Sequence, residues 1–178
     1  MPIIQQVSVS MFMNYIIKLK VVIALCCLLP VILVKGNQLH QSFDRSALYE
    51  AMKSTQLSEV TTALTDLEKT NLPDKLAYEG ALLMKKAALL SKPIDKLHSF
   101  KAGKEKLETA IQQNPDNIEY RLLRIMIQEN APKIVRYKND LDIDGQLVNA
   151  SYKKLPFAAQ SAAVDYSKNS KVLHITAM

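Results

Sequence analysis

Four polar side chains form a stripe along a largely apolar stretch that runs from Ile118 to Ile127, two within it and one at each end. At spacings of four, three and four residues, they are Asn117, Arg121, Arg124 and Gln128. This spacing places them on one face of an α-helix. Guanidinium groups bind carboxylates through paired hydrogen bonds, so the stripe predicts a surface that grips acidic groups of a protein or peptide partner. The alternative is structural, with the arginines paired inside the fold to Glu108, Glu119 or Glu129.

A second candidate site is the acidic segment Asp140–Gly145, which reads DLDIDG. The pattern D-x-D-x-D-G is that of the first half of an EF-hand calcium loop, in which carboxylates converge on the ion. The predicted ligands are Asp140, Asp142 and Asp144. The twelfth position of such a loop is a bidentate Glu, and here it is Ser151, so a calcium site here would lack two oxygen ligands and bind weakly. The favoured interpretation of the segment is a solvated acidic turn between helices, and a weak calcium- or small-ligand-binding protein is the alternative function.

Catalytic patterns are scarce in this sequence. The three histidines, His40, His98 and His174, are far apart and fall in no H-E-x-x-H pattern, and G-x-S-x-G does not occur. With four glycines in 178 residues, a glycine-rich phosphate loop is also missing. We therefore expect a protein that is not an enzyme and that needs no cofactor.

The N-terminal region has the layout of a secretory signal peptide. Lys18 and Lys20 precede an apolar run from Val21 to Val34, and the small residue Gly36 follows. We predict a signal peptide over residues 1–36, with residues 1–10 upstream of a more suitable start, and hence a periplasmic or secreted protein. The alternative is an uncleaved inner-membrane anchor on a membrane-tethered accessory subunit, although the run is shorter than the ~20 residues of a spanning helix.

Removal of that segment changes the composition that matters for function. Cys26 and Cys27 are the only cysteines, and both lie in the apolar run, so the remainder has no thiol for disulfide or metal chemistry. Three of the 23 basic residues and none of the 17 acidic ones lie in residues 1–36, which lowers the net charge from +6 to +3. A charge this small gives no indication of nucleic-acid binding.

The elements that position these side chains are predicted to be helices throughout. Apolar or small residues at three- and four-residue spacing mark a helix that Pro115 ends, and Asp116 or Asn117 can cap the next one. No strand alternation persists, so we predict an all-α domain of six to eight helices over residues 42–167. Residues 168–178 are predicted to form a flexible tail.

One helical pair resembles a known repeat. Gly103, Leu107, Ala110 and Pro115 follow the small–large–small–Pro spacing of the second helix of a tetratricopeptide repeat, and Leu76, Gly80 and Leu83 resemble its first helix. The chain is also similar to a group of uncharacterised bacterial exported proteins. The resemblance implies antiparallel helix hairpins in a helical array, and a protein- or peptide-binding or scaffolding role.

Overall fold

The structure is a computed structural model that describes residues 43–175. The chain divides into two units at Gln41–Ser42, and every described residue belongs to the second unit. The predicted signal segment, the alternative start and residues 176–178 lie outside the described residues.

Seven α-helices and two short 3-10 helices make up the described part, which contains no β-strand. The α-helices are α1 (Arg45–Lys53), α2 (Leu57–Glu68), α3 (Lys75–Leu89), α4 (Pro93–Gln113), α5 (Ile118–Asn130), α6 (Leu141–Ser151) and α7 (Phe157–Ser167). The 3-10 helices are Lys133–Val135 and Tyr152–Lys154. The predicted all-α class is therefore confirmed.

Local chemistry explains several helix boundaries. The Asp44 side chain caps α1 by accepting a hydrogen bond from the Ser46 N–H at 2.8 Å. Asn117 caps α5, because its Oδ1 accepts from the N–H groups of Glu119 and Tyr120 at 3.0 and 3.3 Å. The predicted cap of α5 is confirmed, and the side-chain oxygen of Asn117 is therefore already engaged within the fold.

Helices α3 and α4 form an antiparallel hairpin. Ser99 donates a hydrogen bond to the carbonyl of Leu83 at 2.7 Å, and Lys106 pairs with Glu79 at 2.8 Å. Residue numbers rise along α4 while those of the partners fall along α3, so the two helices run in opposite directions. Between these contacts two glycines face each other: a Cβ on Gly103 would lie 2.6 Å from the carbonyl oxygen of Gly80. Close backbone packing therefore joins the hairpin.

Helix α5 lies at the centre of the domain and contacts α3, α4, α6 and α7. Its apolar residues are buried on nearly every side, as its all-round apolar sequence predicts: Tyr120, Leu122, Leu123, Ile125, Met126 and Ile127. Helix α1 packs against α2, α3 and α7, so the first and last α-helices of the described part are neighbours.

The segment after α7 corrects the prediction of a flexible tail, as far as residue 175. Leu173 is fully buried and Ile175 is nearly so. The Asn149 side chain donates to the carbonyl of Val172 at 2.8 Å and accepts from the N–H of His174 at 2.9 Å. Burial of Leu173 and Ile175, together with the hydrogen bonds of the Asn149 amide to the backbone, holds the segment on the domain.

Candidate functional site: two buried ionic clusters and an open depression

The polar stripe of α5 is directed largely into the protein. Arg124 is 3 % exposed and Gln128 is fully buried. The Arg124 guanidinium forms a two-pronged ion pair with Asp144, with Nε 2.6 Å from Oδ2 and Nη2 2.9 Å from Oδ1. Arg121 Nη1 donates to the same Oδ1 at 3.0 Å. Two guanidinium groups therefore share one carboxylate that has no exposed surface.

Further acidic groups complete this arrangement across three helices. Arg124 Nη1 lies 2.8 Å from Glu108 Oε2 and 3.4 Å from Asp140 Oδ2. The hydroxyl of Tyr137 donates a hydrogen bond to the other oxygen of Glu108. We call this set the Asp144 cluster: Glu108, Arg121, Arg124, Asp140 and Asp144. It ties α4, α5 and the start of α6 together.

The cluster corrects the interpretation of the stripe as an open peptide-binding surface. Arg124 has no free donor face for a partner, because its nearest carboxylates come from its own chain. The alternative of internal pairing holds for Arg124 and Glu108, whereas the main partner, Asp144, was not among the acids considered. Three buried side-chain atoms have no hydrogen-bond partner among the described residues: Gln128 Nε2, Gln128 Oε1 and Arg121 Nε.

The same geometry bears on the predicted calcium loop. Helix α6 begins at Leu141, so Asp142 and Asp144 lie in the first helical turn and not in a loop. Gly145 is helical too, and a Cβ there would meet Val172 at 2.8 Å. Within residues 43–175 no group of three or more His, Cys, Asp or Glu side chains is arranged to hold a metal ion. Calcium at Asp144 would have to displace both arginines.

A second buried cluster, around Glu119, was not anticipated from the sequence. Glu119 is 4 % exposed and accepts hydrogen bonds from the hydroxyls of Tyr49 and Tyr78, each at 3.0 Å. Arg45 Nε lies 3.5 Å from Glu119 Oε2 and donates to the Tyr78 hydroxyl at 2.8 Å. The sequence signal was an acidic residue in the first turn of a helix that is apolar on almost all sides.

Asp74 extends this cluster to the surface. It pairs with Arg45 at 2.9 Å and accepts a hydrogen bond from the Tyr120 hydroxyl at 2.7 Å. Burial raises the pKa of the Glu119 carboxyl above its ordinary value, against the opposing effects of Arg45 and the two tyrosine hydroxyls. Burial also raises the pKa of Tyr78, and the negative charges of Glu119 and Asp74 add to this increase.

Because the pKa of Glu119 is higher in the folded than in the unfolded chain, stability should depend on pH. Between the two pKa values the folded state holds more protons, so the unfolding free energy falls as pH rises, by at most ~1.4 kcal/mol per pH unit. We expect Glu119→Gln to remove this component of the slope, measured by urea unfolding from pH 4 to 7. The control is Glu59→Gln at an exposed position. Parallel slopes for Glu119→Gln and the wild type would contradict the prediction.

An open depression of about 210 Å³ lies beside the Asp144 cluster. It is lined by Lys104, Glu108, Gln112, Arg136, Tyr137, Asn139 and Asp140. Lys104 Nζ lies 4.9 Å from the centre of the Tyr137 ring. The carboxylates of Glu108 and Asp140 face Arg124, whereas Lys104 and Arg136 form no ion pair with any described residue. The lining therefore carries two cations without ion-pair partners among the described residues, beside two carboxylates that share the Arg124 guanidinium with Asp144.

The chain just before Tyr137 has two unusual features, an exposed apolar side chain and a left-handed backbone conformation. Ile134 is 88 % exposed, two residues before Arg136. Arg136 has a φ of 47°, the left-handed conformation that non-glycine residues adopt uncommonly. The backbone thus turns sharply between the exposed isoleucine and the tyrosine of the depression.

The sequence also contains a Ser-x-x-Lys spacing, from Ser151 to Lys154. This spacing belongs to a nucleophile and its neighbouring lysine in some acyl-transfer enzymes. Here Ser151 ends α6, Lys154 is an exposed residue of the following 3-10 helix, and no hydrogen bond between their side chains is formed. The arrangement gives no activated serine.

No protein-family model matches the chain, and neither a curated protein nor a solved structure is significantly similar to it. None of the described helices combines the length and the apolar character needed to cross a membrane. Over residues 43–175 the protein is an all-α domain of seven α-helices that pack against their neighbours.

Proposed function

We propose that this protein is an exported interaction module that binds an acidic group of a protein or peptide partner in the depression around Tyr137. The observation that carries the proposal is the pairing pattern of its charges. Lys104 and Arg136 are without ion-pair partners among the described residues, while the nearby carboxylates of Glu108 and Asp140 face Arg124. An incoming carboxylate would meet two cations without displacing an internal pair.

The sequence supports the same class of function. The small–large–small spacing of α4 resembles that of tetratricopeptide repeats, whose grooves bind peptides, and export follows from the signal-like N-terminal region. The sequence predicts a binding surface at Arg121 and Arg124, whereas the surface proposed here is the depression beside the Asp144 cluster. The periplasm or the extracellular space is the proposed location, with inner-membrane anchoring as the alternative.

The proposal is tested by selecting peptides from a random display library on the full chain. Enriched peptides are expected to share an Asp, Glu or terminal carboxylate, and replacing that group with its amide should weaken binding about tenfold or more. Lys104→Glu and Arg136→Glu should weaken binding comparably, as measured by calorimetry.

The matched control is Lys153→Glu, an exposed lysine outside the depression. This variant should bind selected peptides like the wild type. If no peptide is enriched, or if all three charge reversals weaken binding equally, the depression is not the binding site.

A further inference from the structure

The tip of the α3–α4 hairpin projects from the rest of the domain. Every residue from Ser91 to His98 is exposed, although Pro93 onward is helical. The six helical residues from Pro93 to His98 make just under two turns, and little of the domain covers them. Two large apolar side chains nevertheless occupy this tip, because Ile94 is 56 % and Leu97 43 % exposed.

The apolar pair belongs to a longer stripe on one face of α4. At spacings of three, four, three and four residues, its members are Ile94, Leu97, Lys101, Lys104 and Glu108. Tyr137 covers the C-terminal half of the stripe, where it contacts Lys104 and Glu108. The N-terminal half extends past that cover. The exposure of Ile94 and Leu97 is thus a consequence of the length of α4.

The charges around the apolar pair are strongly biased. Lys92, Lys96 and Lys101 form no ion pair with any described residue, and Asp95 is the single acid between Ser91 and Lys101. Lysine side chains are long enough to keep their ammonium groups in water while neighbouring apolar groups are buried. Exposed aliphatic side chains flanked by such lysines are typical of segments that lie in the interface of an anionic bilayer.

We propose that this tip, residues 91–101, docks on an anionic membrane surface. Ile94 and Leu97 enter the boundary between headgroups and acyl chains, and the three lysines contact lipid phosphates. A projecting end with so little cover fits a planar, deformable surface better than the concave site of a globular partner. Docking of this kind is peripheral and needs no spanning helix. It does not rest on the depression, which begins a turn further along α4, at Lys104.

The chain contains no tryptophan, so one introduced residue gives a position-specific fluorescence reporter. The test uses the full chain carrying Ile94→Trp, with vesicles of phosphatidylcholine alone or mixed with phosphatidylglycerol. We expect the emission to shift to shorter wavelength with the anionic vesicles only. The matched control is Phe157→Trp, at an apolar side chain 85 % exposed on α7, which should show no shift.

Charge removal gives a second readout. Adding Lys92→Gln and Lys96→Gln to the reporter chain should weaken vesicle affinity about 25-fold, since each lysine near an anionic surface contributes about fivefold. Helicity by circular dichroism should be unchanged. Attachment of another part of the chain to the vesicle would leave the reporter at position 94 unshifted.

Three outcomes would overturn the proposal. One is no shift at position 94 with anionic vesicles, and another is an equal shift with neutral vesicles or at position 157. The third is a shift at position 94 caused by the acidic peptides selected for the depression and not by vesicles, which would make the tip part of a protein-binding surface. Loss of peptide binding at the depression leaves this test unaffected, so the two proposals fail separately.

Discussion

Asp144→Ala is expected to lower the free energy of unfolding by about 3–5 kcal/mol, the largest loss for any single substitution in the Asp144 cluster. The carboxylate has no exposed surface and is the main partner of Arg124, itself 3 % exposed. Its removal leaves a buried guanidinium with Glu108 and the more distant Asp140, and leaves Arg121 without its carboxylate. Urea unfolding followed by circular dichroism measures the effect.

Two variants isolate the cause. Asp142→Ala removes a neighbouring exposed carboxylate of the same helical turn and should change stability by no more than about 0.5 kcal/mol. A variant with Glu108→Gln, Arg121→Met, Arg124→Met and Asp144→Leu removes the paired charges together and should recover part of the loss. If Asp144→Ala and Asp142→Ala were equally mild, the cluster would contribute little to folding.

Gly103→Ala is expected to destabilise the domain by about 1–3 kcal/mol, against the usual effect of this substitution. In a helix interior, alanine is normally more favourable than glycine by ~1 kcal/mol. Here the added Cβ would lie 2.6 Å from the Gly80 carbonyl oxygen and 2.8 Å from the Met84 backbone nitrogen. Backbone atoms cannot rotate away as side chains do, so α3 and α4 must separate.

The sign of the change is the test, and thermal unfolding measures it. Among the described residues no glycine has a positive φ, so Gly103 is required for space and not for backbone conformation. The adjacent exposed Ala102→Gly variant reports helix propensity alone and should cost up to about 1 kcal/mol. A more stable Gly103→Ala chain would show that the hairpin can open without loss.

Local sequence patterns predicted the helices well, because caps and breakers act within a few residues. Asn117 caps α5 where its position after Pro115 predicts, and the all-round apolar sequence of α5 marks the central helix. The role of Arg124 could not be predicted in the same way. The partner of Arg124 is Asp144, which lies 20 residues further along the chain. The spacing of Asp144 with Asp140 and Asp142 also matches a calcium loop, which suggests a different role.

Other features depend on contacts that no local spacing reveals. Glu119 is stabilised by Tyr49, which is 70 residues away along the chain, and by Tyr78, which is 41 residues away. Predicting that cluster requires knowing that α1, α3 and α5 converge. The segment after α7 looks like a polar tail because only Val172, Leu173 and Ile175 are strongly apolar, and its backbone is held by an asparagine of another helix. Short apolar segments carry too little periodicity to indicate burial.

The contact between α1 and α7 has a consequence for biosynthesis. Lys53, at the end of α1, pairs with Asp165 in α7 at 3.0 Å, and the two helices pack together. The buried Leu173 follows later still. While the nascent chain is being made, α1 therefore lacks one of its neighbours until α7 has emerged. Helices α3 to α5 can associate earlier during synthesis, but closure of the domain has to wait until α7 and Leu173 are available.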